Sequence, residues 1–205
     1  MPATRYSVAG DGDERRCTRC QSETHVKNLT ILQINDLHGY LAPHPEMFAL
    51  GDDNDVRSGG GLERLATLFR ALRRERAGAV LALDNGDTFH GTMAAVHTRG
   101  DAVIAPMRAL GLDGMTAHWE FAYGLARLDE IAQRLPYPIL AANYHGSSLE
   151  LQPFTIVDRG GIRVAVIGLL AVVAKHLLPR DQRWALEVTM GESELRTLIP
   201  SVAAR

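Results

Sequence analysis

Two short apolar runs, Leu29 to Ile34 and Val80 to Leu83, each stop at a polar, acidic turn. No other feature of the chain limits its fold as much. The first turn reads Asn35-Asp36-Leu37-His38-Gly39 and the second Asp84-Asn85-Gly86-Asp87-Thr88. Runs of this length, bounded by turn residues, predict buried strands. In an extended chain, positions i and i+2 point the same way. Asp36 and His38 are therefore expected to grip one ion together at a strand's C-terminal end. Asp87 should arrive at the same edge. That edge is where open α/β sheets build their sites.

Between and after these runs, strand and helix signals alternate. Leu62–Glu75 predicts an amphipathic helix, with apolar residues at 62, 65, 66, 68, 69 and 72. The four arginines from Arg70 to Arg76 read as its solvated face and cationic C-terminal end. Ala102–Leu110 predicts a helix closed by Gly111 as C-cap. Gly114–Thr116 predicts a short strand, Leu125–Leu135 a helix stopped before Pro136, and Ile139–Ala142 another strand. Asp158-Arg159-Gly160-Gly161 predicts a hairpin turn between Phe154–Val157 and Ile162–Ile167. Thr189 and Glu192 have capping-box spacing ahead of a last helix. Pro43–Gly59, rich in Gly, Asp and Pro, reads as a polar loop. The alternation implies one α/β domain whose mostly parallel sheet is covered on both faces.

Composition narrows the function classes. The chain has 205 residues, 46% hydrophobic and 22% charged, with a formal net charge of −2. These are ordinary globular values for a single core. The charge gives no reason to invoke nucleic acid or a membrane surface, and no apolar run is long enough to span a bilayer. Met1 to Arg16 lacks the apolar stretch of a signal peptide. The sequence as written therefore reads as cytoplasmic, and as exported if its true start lies upstream.

The blocks Ile34–Leu41, Gly60-Gly61-Leu62-Glu63-Arg64-Leu65-Ala66, Leu83-Asp84-Asn85-Gly86-Asp87-Thr88-Phe89-His90-Gly91-Thr92 and Leu140-Ala141-Ala142-Asn143 resemble the calcineurin-like metallophosphoesterases. Within them, the 5'-nucleotidase / UDP-sugar hydrolase branch is the most similar. The resemblance runs from about Leu29 to the end of the chain. It implies an α/β/β/α sandwich with a mostly parallel sheet, of which the first half is present. It also implies a site with two divalent metal ions (Mn, Zn or Fe) that activates water against a small-molecule phosphoester such as a nucleotide. Asp36 and His38 would hold the first metal, Asp87 would bridge, and His118 would hold the second.

The third block departs from the family's Gly-Asn-His-Glu-Phe-Asp. Here it reads Ala117-His118-Trp119-Glu120-Phe121-Ala122. His118 stands at the metal-binding Asn, and a neutral imidazole is a good ligand for Zn, Mn or Fe. Trp119 stands at the catalytic His, and an indole N–H does not titrate usefully. No other residue is assigned that catalytic role. The His-Trp-Glu-Phe-x-Tyr-Gly pattern is similar to the thiosulfohydrolases of sulfur oxidation. General acid catalysis contributes about 10²–10⁴-fold in rate, most where the leaving group is poor. A stable-anion leaving group is thus the alternative to a nucleotide. The family's later His blocks have no counterpart here. A C-terminal half or a partner chain would have to supply them, or the chain is a non-catalytic fragment.

Several residues stay open on sequence alone. Trp119 either walls a substrate pocket or packs in the core. Asn143 either supports the site or ends a strand. Glu120 is expected to make structural hydrogen bonds near the metals. His90 and His97 are expected at the surface, with a substrate-facing role as the alternative. Residues 1–28 read as an N-terminal arm whose Cys17-Thr18-Arg19-Cys20 is a pair of reduced thiols or half of a shared zinc site, and 29–205 as a C-terminally truncated metallophosphoesterase domain.

Overall fold

In the computed structural model, residues 27–51, 53–146, 149–173, 176, 178, 180, 181, 183 and 186–204 are described. Cys17 and Cys20, with nearly all of the N-terminal arm, lie outside them. Strands β1 (Thr30–Ile34), β4 (Val80–Asp84) and β5 (Gly114–Met115) form a parallel sheet in the order β1-β4-β5. Its register pairs Ile34 with Asp84 and Leu83 with Gly114. Both apolar runs therefore end at one edge, as expected.

Helices α1 (Leu62–Glu75), α2 (Met93–His97), α3 (Asp101–Leu110) and α4 (Leu125–Arg134) provide the crossovers. Their apolar faces share one core. Phe69 of α1, Ile104 and Met107 of α3, and Leu128 and Ile131 of α4 are all buried in it with Phe89 and Phe121. From the sheet, Ala82 joins this cluster, with Leu32 and Ile34 packed against it. Gly111 closes α3 in the left-handed conformation, φ 64°, the C-cap read from sequence.

The opposite face of the sheet is less covered than expected. Ile31, which alternates with Leu32 and so points the other way, is 58% exposed. On that side Leu83, Leu140, Val166 and Leu170 line a cavity of about 510 Å³. The described residues thus set a helical layer on one face of the parallel sheet, with the other face covered only in part.

Four local expectations change. Pro43–Gly59 is not a loop: β2 (His44–Leu50) and β3 (Asp53–Gly59) form an antiparallel hairpin. Its backbone ladder holds it, while Met47, Phe48 and Val56 stay exposed, so no buried face imposes a period of two on the sequence. Ile139–Ala142 is not a continuous strand. Ile139 bridges Met115 and Leu140 bridges Gln152, then Ala142 N donates to Gly168 O at 2.8 Å. The segment changes partner at nearly every residue, so no ladder forms. The last helix, α5, spans Glu192–Ala203 with Gly191 as N-cap. Thr189 lies outside it and instead donates its hydroxyl to Glu194 at 2.7 Å. The expected hairpin is present as β6 (Phe154–Arg159) and β7 (Ile162–Ile167), with Asp158 and Arg159 paired in the ladder and not in the turn. Gly160 and Gly161 turn it, both at positive φ, as a two-residue primed turn requires.

Candidate metal centre

The site is made by two loops that continue the β1–β4 pairing past the strand ends. Asn85 N donates to Ile34 O at 2.9 Å, Asp36 N to Gly86 O at 3.0 Å, His38 N to Asp87 O at 2.8 Å and Gly39 N to Thr88 O at 3.0 Å. This lock forces unusual backbone. Asp36 (φ 54°), His38 (φ 50°) and Asp87 (φ 60°) are all left-handed, and among the described residues only Arg99 is another non-glycine at positive φ. Such residues cost about 1–3 kcal/mol each and gather at functional sites. Asp36 and His38 therefore do not meet through extended alternation, as the sequence suggested. Two left-handed residues turn them towards each other. Gly86 is needed beside them, because a Cβ there would lie 2.7 Å from Thr116 O and 2.9 Å from His118 N.

One ligand atom from each of Asp36, His38 and Asp87 lies within 4.8 Å of the others. His38 Nε2 is 3.8 Å from both Asp36 Oδ1 and Asp87 Oδ2. Ligand atoms about 2.1 Å from a common cation sit at most about 4.2 Å apart, and both His38 spacings, 3.8 Å, fall within that limit. The donor set fits too: carboxylate and imidazole suit divalent first-row metals. His118 Nδ1 lies 3.1 Å from Asp87 Oδ2, so Asp87 is the shared member. Its other oxygen, Oδ1, is 2.6 Å from His90 Nε2.

Electrostatics separate the three buried acids. Burial alone would raise the Asp87 carboxyl. Hydrogen bonding from His90 and Asp36 and the charges of His118 and His90 outweigh it and hold the group below the ordinary carboxylate range. Asp84 goes the other way. Desolvation pushes it up to about 7, against hydrogen bonds from Gly86 and Thr88, and the charges of Glu120 and Asp36 push in the same direction as burial. Glu120 is fully buried and accepts from Thr88 N and His118 N, both at 2.7 Å. It ties the Asp87 loop to the His118 loop, the structural role expected of it.

The other expected residues divide. Trp119 is 41% exposed, and its ring centre is 5.7 Å from that of His90 and 6.4 Å from that of His118, so it walls the site and is not core. The Asn143 amide is taken up by backbone groups. Its amide donates to Leu170 O at 2.9 Å and Thr189 O at 2.8 Å and accepts from Leu170 N at 2.8 Å, a tether between segments. His97 is exposed as expected. His90 is not: only 14% of its side chain is exposed, and its ring sits 5.0 Å from that of His38. Its signal was the spacing Asp87-x-x-His90, which brings the two side chains together only once Asp87 turns left-handed.

No protein-family model matches the chain. It is 33% identical over 159 residues to a probable 5'-nucleotidase of Treponema pallidum, a match covering 75% of this chain and 27% of that protein. In fold it is similar to the sulfate thiohydrolase SoxB of Thermus thermophilus, with a TM-score of 0.75 and 22% identity over 87% of this chain and 42% of that one. It is also similar to a 5'-nucleotidase precursor of Thermus thermophilus, with a TM-score of 0.72 and 25% identity over 86% and 34%. The chain spans about a quarter of the length of the curated relatives it matches.

Proposed function

Because this chain belongs to the calcineurin-like metallophosphoesterase superfamily, we propose that its Asp36–His38–Asp87 cluster holds a divalent cation for hydrolysis of a 5'-nucleotide-type phosphoester. His118 belongs to a second cation position that shares Asp87. The observation that carries this reading is the cluster itself, three ligand atoms within 4.8 Å on three left-handed residues. A bound divalent cation supplies a water of lowered pKa and a Lewis acid for a phosphoryl oxygen.

The chain's own residues set the rest. Asp87 stays ionised well into the acid range, because His90 and His118 face it, so it is available as an anionic ligand at neutral pH. Glu120 fixes His118 by its backbone N–H, leaving the imidazole free to turn to Asp87. Trp119 excludes water from one side and offers an N–H that donates without titrating.

That last point supports a second reading. With no titrating acid at position 119, a leaving group that is already a stable anion is favoured over an alkoxide. Hydrolysis of an R–S–S–SO3⁻ thiosulfonate, in which water attacks the sulfonate sulfur and the S–S bond to it breaks, releases sulfate and the persulfide R–S–SH and suits such a site. One preparation tests both. Wild type and Asp87→Ala are dialysed against Mn²⁺, their metal content is measured, and each is assayed with AMP and with an alkyl thiosulfonate. The expected result is bound metal in wild type, a loss of tenfold or more in affinity in the variant, and phosphate release from AMP. Sulfate release without phosphate release would favour the second reading. Equal metal content in both proteins would sink the first.

A further inference from the structure

His90 is the imidazole of this site that neither cation position uses. Only 14% of its side chain is exposed, and its Nε2 is 2.6 Å from Asp87 Oδ1. Its place is built by contacts to the His38 loop. Thr92 N donates to His38 O at 3.0 Å, and the Thr92 hydroxyl donates to Gly39 O at 3.0 Å. Between them, a Cβ on Gly91 would lie 2.5 Å from His38 O, an approach that only glycine allows. The segment carrying His90 is therefore clamped on the loop that carries His38. The ring itself is walled. His38 meets it edge-on, with planes 87° apart and centres 5.0 Å apart, and Trp119 lies 5.7 Å away on a plane tilted by 53°.

This placement divides the two oxygens of Asp87. Oδ2 is 3.8 Å from His38 Nε2 and 3.1 Å from His118 Nδ1, so it lies between the two cation positions. Oδ1 faces His90. An ionised carboxylate only accepts hydrogen bonds, so His90 Nε2 carries the hydrogen and donates it. We propose that His90 is a positioning residue for the cation cluster: its N–H occupies Asp87 Oδ1 and fixes the carboxylate so that Oδ2 alone is presented as ligand. The inference rests on the cation reading of Asp36, His38 and Asp87. The left-handed backbone at Asp87 does not do this by itself, because the last torsion of an aspartate is broad. A carboxylate free at both oxygens can turn and chelate one ion through both, and one whose Oδ1 is held by an N–H cannot. A hydrogen bond to a charged acceptor is roughly twice as strong as a neutral one. Partners that orient metal ligands in this way contribute about 10–100-fold in metal affinity.

The test is calorimetric titration of the 205-residue chain with Mn²⁺, together with the visible absorption spectrum of its Co²⁺ complex, for wild type, His90→Ala, His90→Leu and His90→Gln. Leucine fills much of the space of the ring without an N–H, so it reports even if the alanine variant fails to fold. Glutamine keeps an N–H to offer to Oδ1. Expected are Mn²⁺ binding about 10–100-fold weaker in His90→Ala and His90→Leu and near-wild-type binding in His90→Gln. The Co²⁺ spectrum should shift in the alanine and leucine variants, where Oδ1 is released to the ion, and not in the glutamine variant. A role in packing alone would not separate leucine from glutamine. Wild-type affinity in His90→Leu overturns the proposal, and so does His90→Gln binding as weakly as His90→Leu. Wild type that takes up no Mn²⁺ overturns it together with the cation reading, whereas wild type that binds no better than the variants overturns it alone.

Discussion

Asp84 should set much of the pH dependence of stability in this chain, and Asp84→Asn should remove it. The carboxyl is about 1% exposed, beneath the site. Burial pushes it up to about 7 in the fold, from an ordinary carboxyl value of 3.8. The folded state therefore binds the proton more tightly than the unfolded chain does. Between about pH 4 and pH 7 the native protein holds a proton that the unfolded chain has lost, so stability falls as pH rises through that window and is level on either side. At 1.36 kcal/mol per unit, the whole window is worth on the order of 4 kcal/mol. Asparagine is uncharged throughout. Its Oδ1 can keep the 2.9 Å bond from Gly86 N, and its amide can donate to the Thr88 hydroxyl that now donates to Asp84 at 2.8 Å. Urea unfolding of both proteins in chelator at pH 4 and pH 8 gives four stabilities. The difference, variant minus wild type, should rise by about 4 kcal/mol between the two pH values, and the contributions of all other groups cancel in it. A difference that does not change with pH would refute the argument that a buried, protonated Asp84 lies under the site.

Three further outcomes follow from particular contacts. Gly91→Ala should lower stability by about 2 kcal/mol or more in chemical denaturation, because its Cβ would lie 2.5 Å from His38 O at φ +108°. Glu120→Gln turns one acceptor into a donor against Thr88 N or His118 N. It should cost about 1–3 kcal/mol and reduce metal content with it, read by unfolding and by elemental analysis of the same sample. Trp119→His restores a titratable group beside His118. It should raise AMP hydrolysis by about 10²-fold or more with little change for a thiosulfonate, compared as kcat on the two substrates.

The sheet edge was legible because the apolar runs stop so sharply. Leu32 and Ile34 need a buried face, Asp36 and His38 cannot continue it, and the chain has to turn. The helices were legible for the same reason, since Leu62 and Phe69, Ile104 and Met107, and Leu128 and Ile131 sit at helical spacing within their own helices. The β2–β3 hairpin was not, because a ladder satisfied by backbone alone leaves Met47 and Val56 in solvent and writes no alternation into the sequence. His90 was missed for a deeper reason. Its place in the site depends on the left-handed turn at Asp87, which in turn depends on the hydrogen bond from His38 N to Asp87 O. Pairing between segments far apart in sequence does not show in the local pattern of either. Asn143 was open on sequence alone, since a polar residue at a strand end suits a site or a turn equally, and the fold spends its amide on three backbone groups.

The buried acids give the strongest physical reason to expect a cation here. Asp84, Asp87 and Glu120 are each at most 4% exposed, and among the described residues none of the three forms an ion pair with Lys or Arg. A buried carboxylate needs a proton, hydrogen-bond donors or a counter-charge. Asp84 takes the proton. Glu120 takes two backbone N–H groups at 2.7 Å. Asp87 is held ionised by His90, Asp36 and His118, with His90 and His118 within 3.1 Å and His38 at 3.8 Å, and those rings are themselves ligands when neutral. Of the three, Asp87 alone has its charge answered by groups that a metal ion can recruit, and the Asp36 carboxylate beside it adds negative charge to the same point. A site that had to balance itself with protons or N–H groups would not set two carboxylates and an imidazole at ligand spacing on strained backbone. A divalent cation at Asp87 would relieve the repulsion between the two carboxylates that meet there.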